Sequence, residues 1–252
     1  AKADRAWPST PTNFNIMKVL VCDPISQTGI EHLQQQNGLE TIVLDRCHSE
    51  EELLPIMNNV SAMAVRSETK VTKTILEAAP EMRIVGRAGV GVDNIDIEAA
   101  TQNGVIVMNT PGGNTTATCE LTFSMMIALA RNIPQAHGSM VAGEWNRKAF
   151  KGVELYGKTL GVLGMGRIGG EVARRAVAFG MRVMAYDPYI TPSRAKALQV
   201  ELASLEDIYA SADFITVHMP MTDETRGMLN KDTFATMKPS MRLLNCARGG
   251  II

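Results

Sequence analysis

The chain has 252 residues, 45% hydrophobic and 20% charged, enough for one large or two modest domains. Its formal net charge of −1 excludes a global pull toward nucleic acid or anionic lipid, so any bound anion must be held by local groups. No run reaches the roughly 18 apolar residues of a membrane span.

Residues 1–15 are rich in Pro, Ser, Thr and Asn and lack periodicity, which reads as a disordered extension without the apolar segment of a targeting peptide. Residues 17–22 (MKVLVC) form an expected buried strand, with a helix starting near Ser26. A second strand covers 41–44. A helix then opens at Ser49, where Glu52 three positions on completes a capping-box pattern. Strands follow at 62–65, 83–85 and 105–108, and a helix over 71–79 lies between the first two of these. Strand and helix alternating at this spacing predict a parallel sheet with both faces covered, and a first domain over residues 16–109.

A long helix, Thr115–Arg131, is expected behind Asn114 as N-cap, and a second helical stretch runs from Ile133 to Gly143. These two helices are expected to link the first domain to a second over residues 110–252. There the strands are Thr159–Leu163, Arg182–Tyr186, Phe214–Val217 and Arg242–Asn245, with a helix over 167–179 stopped by Gly180. Four strands are readable, where a complete doubly wound sheet has about six. Cys22, Cys47, Cys119 and Cys246 are scattered, with no CxxC or Cys/His cluster, so no metal is expected and reduced thiols in a cytoplasmic setting are.

The chemistry concentrates in GMGRIGG, between a strand and a helix. Gly164 suits the tight turn, Gly166 lets main chain approach a diphosphate, and Gly169 lets helix and sheet pack closely. The diphosphate would lie at the helix N-terminus, where N–H groups need acceptors. Asp187, 18 residues after Gly169 at the end of the next strand, sits where a carboxylate accepts from ribose hydroxyls and repels a 2′-phosphate. NAD is therefore expected over NADP.

Arg66 and Arg87 each follow a strand, at the edge where open α/β sheets place ligands. Gly89-Val90-Gly91 offers consecutive amides for an anion nest. Together they suggest a small acidic substrate with a carboxylate and a phosphate, since Arg matches both. Arg147 and Lys148 read as a solvated face. Arg248, in LLNCARGG, follows the last strand and could polarise a substrate carboxylate or carbonyl. His218 ends a strand with no carboxylate partner legible nearby, so packing is its expected role.

Taken in order, VGRAGVGVDNID, VMNTPGGN, GMGRIGGEVARR, YDP, HMPMTDETRGMLN and LLNCARGG resemble the D-isomer-specific 2-hydroxyacid dehydrogenases from about Met17 to Ile252. Arg66-Ser67, GRAG and WNRKAF most resemble the members that act on a phosphorylated substrate. The resemblance implies a flavodoxin-like α/β substrate-binding lid and a Rossmann NAD-binding domain that is incomplete at its C-terminal end. It implies NAD-linked oxidation of the 2-hydroxyl of 3-phosphoglycerate to 3-phosphohydroxypyruvate. Cofactor contacts would fall to Val90, Gly164, Gly166, Arg167, Ile168, Gly169, Asp187, Met219, Cys246, Ala247 and Arg248. Arg248 would be the catalytic arginine, and Arg66, Ser67, Arg87 and Gly89 would meet the substrate. A homodimer through the nucleotide domain is implied, with Thr115–Arg131 in the contact.

Two departures stand out. The family's Glu and His would lie beyond Ile252, so a chain ending there is expected to turn over weakly, a positioned acid–base group contributing some 10²–10⁴-fold. Val90 and Met219 also stand where Thr is common, which leaves only main-chain contacts there. The alternatives are a hydroxypyruvate or glyoxylate reductase, an NAD-sensing co-repressor-like module, or a purely structural α/β domain.

Overall fold

Ten parallel strands in two separate sheets organise the described residues. The computed structural model describes residues 16–252 and divides into two units, the first ending at Gly113 and the second spanning Asn114–Ile252. The extension expected over residues 1–15 lies outside the described residues. Among the described residues, no helix is long and apolar enough to cross a membrane.

In the first unit β1 (Met17–Val21), β2 (Leu39–Val43), β3 (Val60–Val65), β4 (Ile84–Arg87) and β5 (Ile106–Asn109) run in the order β2-β1-β3-β4-β5. That is the flavodoxin-like order. The connecting helices are α1 (Gln27–Gln34), α2 (Glu50–Leu53), α3 (Lys73–Glu77) and α4 (Ile97–Gln102). Ser26 caps α1, and Ser49 with Glu52 forms the expected capping box on α2. Pro55 lies in the 3₁₀ segment Leu54–Asn59, which carries the chain from α2 to β3. The helix expected over 71–79 is shorter, because Thr72 caps it and Val71 instead bridges to Ile95. α4, capped by Asp96, has no counterpart among the expected elements, since its six residues are too short for a periodic signal.

The second unit opens with α5 (Thr115–Arg131) and α6 (Ile133–Val141). The bounds of α5 match expectation, but Asn114 makes no side-chain cap; its φ of −121° and ψ of 8° leave the extended conformation that aims a cap at the first amides. Nor does α5 act as a mere link: Cys119, Phe123, Met126 and Ala130 are buried in the second unit's core, and Phe123 meets Phe179 at 4.8 Å between ring centroids. The sheet comprises β6 (Thr159–Leu163), β7 (Arg182–Tyr186), β8 (Glu201–Leu202), β9 (Phe214–Val217) and β10 (Arg242–Asn245). Five strands thus replace the expected four; β8 is two exposed residues long and carries no alternation to read.

The order β10-β9-β6-β7-β8 reverses direction between β6 and β9, the switch point where Rossmann sheets open a crevice. α7 (Arg167–Ala178) covers one face, joined by α5. α8 (Pro192–Ala197), α9 (Leu205–Ser211) and α10 (Lys231–Ala235) complete the unit. Each has a side-chain cap, from Thr191, Ser204 and Asn230 respectively, yet each is too short to announce itself by period.

α9 lies close to β6 because position 161 has no side chain: a Cβ there would come 2.4 Å from Ile208 Cγ2 and 3.4 Å from Ile215 Cγ1. Gly161→Ala is expected to cost about 1–3 kcal/mol by overpacking. Equilibrium urea unfolding measures it, and a variant as stable as the parent contradicts this packing.

Candidate functional site

The exit of β6 is shaped by three glycines doing different work. Gly164 takes φ +96°, which L side chains resist, and its N–H donates to Tyr186 O at 2.8 Å. A Cβ at 164 would meet the His218 carbonyl group and Met219 Cγ at 2.8 Å. At Gly169 a Cβ would lie 1.9 Å from Gly164 O, so the first turn of α7 rests directly on the backbone of the strand exit. Gly166 is the opposite case: among the described residues, nothing lies within 4 Å of a Cβ built there. The main chain therefore faces open space at the positive end of α7, where no side chain caps the helix. A diphosphate fits this cradle.

Asp187 follows β7 and turns toward the same loop. Its Oδ2 accepts from Met165 N at 2.7 Å and its Oδ1 from Tyr189 N at 2.8 Å. The carboxylate thus braces the turn, a role beyond the ribose contact expected of it. An ionised carboxylate offers about four acceptor sites, so hydroxyl donors can still be accommodated.

Across the switch point, His218 N donates to Leu163 O at 2.7 Å, tying the exit of β9 to β6. The imidazole Nε2 contacts Thr216 Oγ1 at 3.0 Å, and burial pushes its pKa down to about 4. That is the packing role expected of it. Met219 is buried against the Gly164 turn.

After β10, Asn245 folds residues 246–248 into a braced loop, donating Nδ2–H to Arg248 O at 2.8 Å and accepting Ala247 N at 2.9 Å on Oδ1. Cys246 Sγ lies 3.7 Å from Met125 Sδ, and Arg248 Nη1 donates to Ala247 O at 3.0 Å. The second unit therefore gathers residues 164–169, Asp187, Met219 and 246–248 at the carboxyl ends of its strands.

The first unit carries the other expected residues on its own carboxyl edge. β3 and β4 are paired with Val65 opposite Arg87, so Arg66 lies one residue beyond that register. Arg66 and Ser67 are exposed, whereas Arg87 is only 7% exposed and donates Nε–H to Arg66 O at 3.1 Å. Its guanidinium lies over Gly89, where a Cβ would come 2.8 Å from Nη1. Val90, expected beside the cofactor, belongs to this unit; its carbonyl accepts from Asn109 Nδ2 at 2.6 Å. The anion nest expected at Gly89-Val90-Gly91 is not formed as such, because Gly89 N already donates to Arg87 O at 2.9 Å. Gly89 serves instead as the floor beneath Arg87.

Against known proteins, residues 123–252 match the profile of the D-isomer specific 2-hydroxyacid dehydrogenases, NAD binding domain. The chain belongs to that family. NAD is accordingly the dinucleotide of its second unit. The chain is 51% identical over 237 residues to D-3-phosphoglycerate dehydrogenase of Bacillus subtilis (strain 168), covering 94% of this chain and 44% of that one. It is 49% identical over 238 residues to the Rattus norvegicus enzyme of the same name, with the same coverages. The chain thus spans less than half the length of these curated relatives. Among solved structures, the TT0316 protein from Thermus thermophilus superposes with a TM-score of 0.84 at 34% identity, over 94% of this chain and 75% of that one. D-lactate dehydrogenase from Aquifex aeolicus, complexed with NAD and lactic acid, superposes with a TM-score of 0.85 at 26% identity, over 93% and 70%.

The glycine turn and the buried His218 each have a measurable consequence. Gly169→Ala must push α7 off the Gly164 carbonyl, so NAD binding followed by Trp fluorescence should be lost; unchanged affinity would rule out the close approach. His218 has a folded pKa of about 4 against roughly 6.5 unfolded, so the unfolded state binds the proton first. Stability is full above pH 6.5 and falls as pH drops toward 4. Between pH 6.5 and 5 the parent should lose on the order of 2 kcal/mol more than His218→Gln in urea unfolding; parallel pH profiles would contradict a buried neutral imidazole.

Proposed function

We propose that the protein is an NAD-dependent phosphoglycerate dehydrogenase, oxidising the 2-hydroxyl of 3-phospho-D-glycerate to 3-phosphohydroxypyruvate as the first step of serine biosynthesis. The observation that carries this reading is the pair of arginines on one sheet edge, joined through Arg66 O, in a chain half identical to enzymes bearing that name.

In this reading the second unit holds the cofactor. The first-turn amides of α7 receive the diphosphate, Gly166 leaves room for it, and Arg167 and Ile168 line its entry. Asp187 accepts the adenosine ribose hydroxyls and disfavours a 2′-phosphate by like charge. Met219, Cys246 and Ala247 contact the cofactor on the far side of the switch point. NAD supplies the hydride acceptor. Arg248, on the loop braced by Asn245, holds the substrate carboxylate and polarises the reacting C–O bond. The first unit is the substrate-binding lid, in which Arg66, Ser67 and Arg87 bind the acidic ends of the substrate and Gly89 lies beneath the Arg87 guanidinium.

Phosphate recognition separates this reading from a glycerate-type or lactate-type dehydrogenase. In the full-length enzyme, Arg66→Ala and Arg87→Ala are expected to raise KM for 3-phosphoglycerate far more than for glycerate. Equal losses on both substrates would remove the phosphate from the proposal. Asp187→Ala should narrow the preference for NAD over NADP in a direct binding titration, and an unaltered preference would deny Asp187 its ribose role.

We also propose a homodimer through the nucleotide unit. Leu121, Met125 and Leu129 on α5 and Ile133 and Met140 on α6 are exposed apolar side chains, a patch of the kind that marks an interface. The four free cysteines support a reducing cytoplasm as its compartment. Leu129→Glu with Met140→Glu should shift sedimentation to the monomer; a variant that sediments as the parent does would place the interface elsewhere.

A further inference from the structure

The carboxyl edge of the first sheet contains a two-sided brace around the segment 66–69. From one side the buried carboxylate of Asp23, just past β1, accepts from Arg66 N at 2.5 Å, from Thr69 N at 3.2 Å and from Thr69 Oγ1 at 2.6 Å. From the other side the Asn94 amide donates Nδ2–H to Arg66 O at 2.8 Å and to Thr69 O at 2.6 Å. One residue, Asp23, takes the segment's N–H groups, and another, Asn94, takes its C=O groups. Arg66 O also receives Arg87 Nε–H at 3.1 Å. A single carbonyl oxygen therefore fixes both the backbone of Arg66 and the guanidinium of Arg87, and Asn94 holds that oxygen.

Asn94 is itself anchored. Its carbonyl accepts from Val71 N at 2.8 Å, and Asp96 N donates to Val71 O at 2.9 Å, forming the parallel bridge between Val71 and Ile95. The amide cannot flip, because its oxygen would then face two carbonyl oxygens. As placed, Oδ1 is buried without a hydrogen-bond partner among the described residues, a cost that the two donated bonds must offset. A side chain kept only to fill space would not need an amide with that cost. Donation to Arg66 O and Thr69 O is the feature that explains it.

We propose that Asn94 is a positioning residue for the substrate's acidic group, setting the separation and orientation of Arg66 and Arg87, with Asp23 as its counter-brace. The inference rests on the reading above, in which those arginines bind the phosphorylated acid. Arg66 alone is a long, exposed side chain whose freedom would be lost on binding. Fixing the Arg66 backbone and the neighbouring Arg87 guanidinium through one oxygen leaves the rotamer cost of Arg66 in place but presets where that side chain starts and where Arg87 lies.

The test is a double-mutant cycle in the full-length enzyme, read by calorimetric titration with 3-phosphoglycerate and, separately, with NAD. Asn94→Ala is expected to weaken 3-phosphoglycerate by about tenfold or more and leave NAD unchanged, while adding little once Arg87→Ala is present. Asn94→Asp, which keeps the shape but sets a carboxylate against two carbonyls, should be worse than Ala; if Asn94 only fills space, Asp is the milder change and the proposal fails. Additive losses in the cycle, or a parallel loss of NAD affinity, also overturn it. Should Asn94→Ala not fold, Asn94→Ser retains one donor and must show intermediate affinity with the same non-additivity. If Arg66→Ala and Arg87→Ala leave 3-phosphoglycerate binding intact, the arginine reading fails first. If they weaken it and Asn94→Ala does not, only the positioning role fails.

Discussion

The second unit depends on one backbone contact, the seating of α7 on the carbonyl of Gly164. With a Cβ at 169 only 1.9 Å from that oxygen, no side chain can occupy the position without moving helix or strand. The contact turns the helix N-terminus into the mouth of the sheet's switch point, where the paired strands β6 and β9 send their connections to opposite sides. The walls on either side of that mouth follow from this geometry. Asp187 can reach Met165 N because the turn is tight, and His218 and Met219 can close the opposite wall because Gly164 leaves room for them. Burial then keeps the His218 imidazole neutral, so the wall adds no cation beside the proposed nicotinamide end.

The first unit solves a different problem with side chains rather than glycines. An arginine pair repels itself and resists desolvation, yet Arg87 is almost wholly buried. The structure answers by giving its Nε–H a backbone acceptor and its guanidinium plane a glycine floor at position 89. That acceptor is held in turn by Asn94, and the same peptide segment is held by Asp23. Cationic chemistry at the sheet edge is therefore supported by neutral and acidic groups that never need to touch a ligand.

Much of this is legible in the chain. Strands and helices with flanking glycines, such as Thr159–Leu163 and Thr115–Arg131, match the structure at both ends, the helix without the side-chain cap expected from Asn114. The glycines at 164, 166 and 169 can be given separate roles from sequence, since each role follows from a missing Cβ. Short helices are legible only where a cap announces them, as Ser49 and Glu52 do for α2; β8 has two residues, and α4, α8, α9 and α10 have five to seven, below one clear hydrophobic period. The braces are invisible for another reason. Asp23, Asn94 and Asn245 act on main-chain groups, and no spacing rule encodes which carbonyl or amide such a side chain will find. Asp23 offers one faint signal, an acid directly after a buried strand. The nest at Gly89 fails because consecutive glycine-rich amides say nothing about whether one has already turned back onto its own strand, as Gly89 N does onto Arg87 O.

Backbone amide resonances of the second unit, followed by ¹⁵N–¹H correlation during titration with NAD, test the central contact most directly. The largest shifts should fall on Gly166, Arg167, Ile168 and Gly169, the amides at the open end of α7, with Met165 responding through Asp187. If NAD binds while those amides stay put and the shifts cluster on another strand edge, the glycine turn is not the diphosphate site.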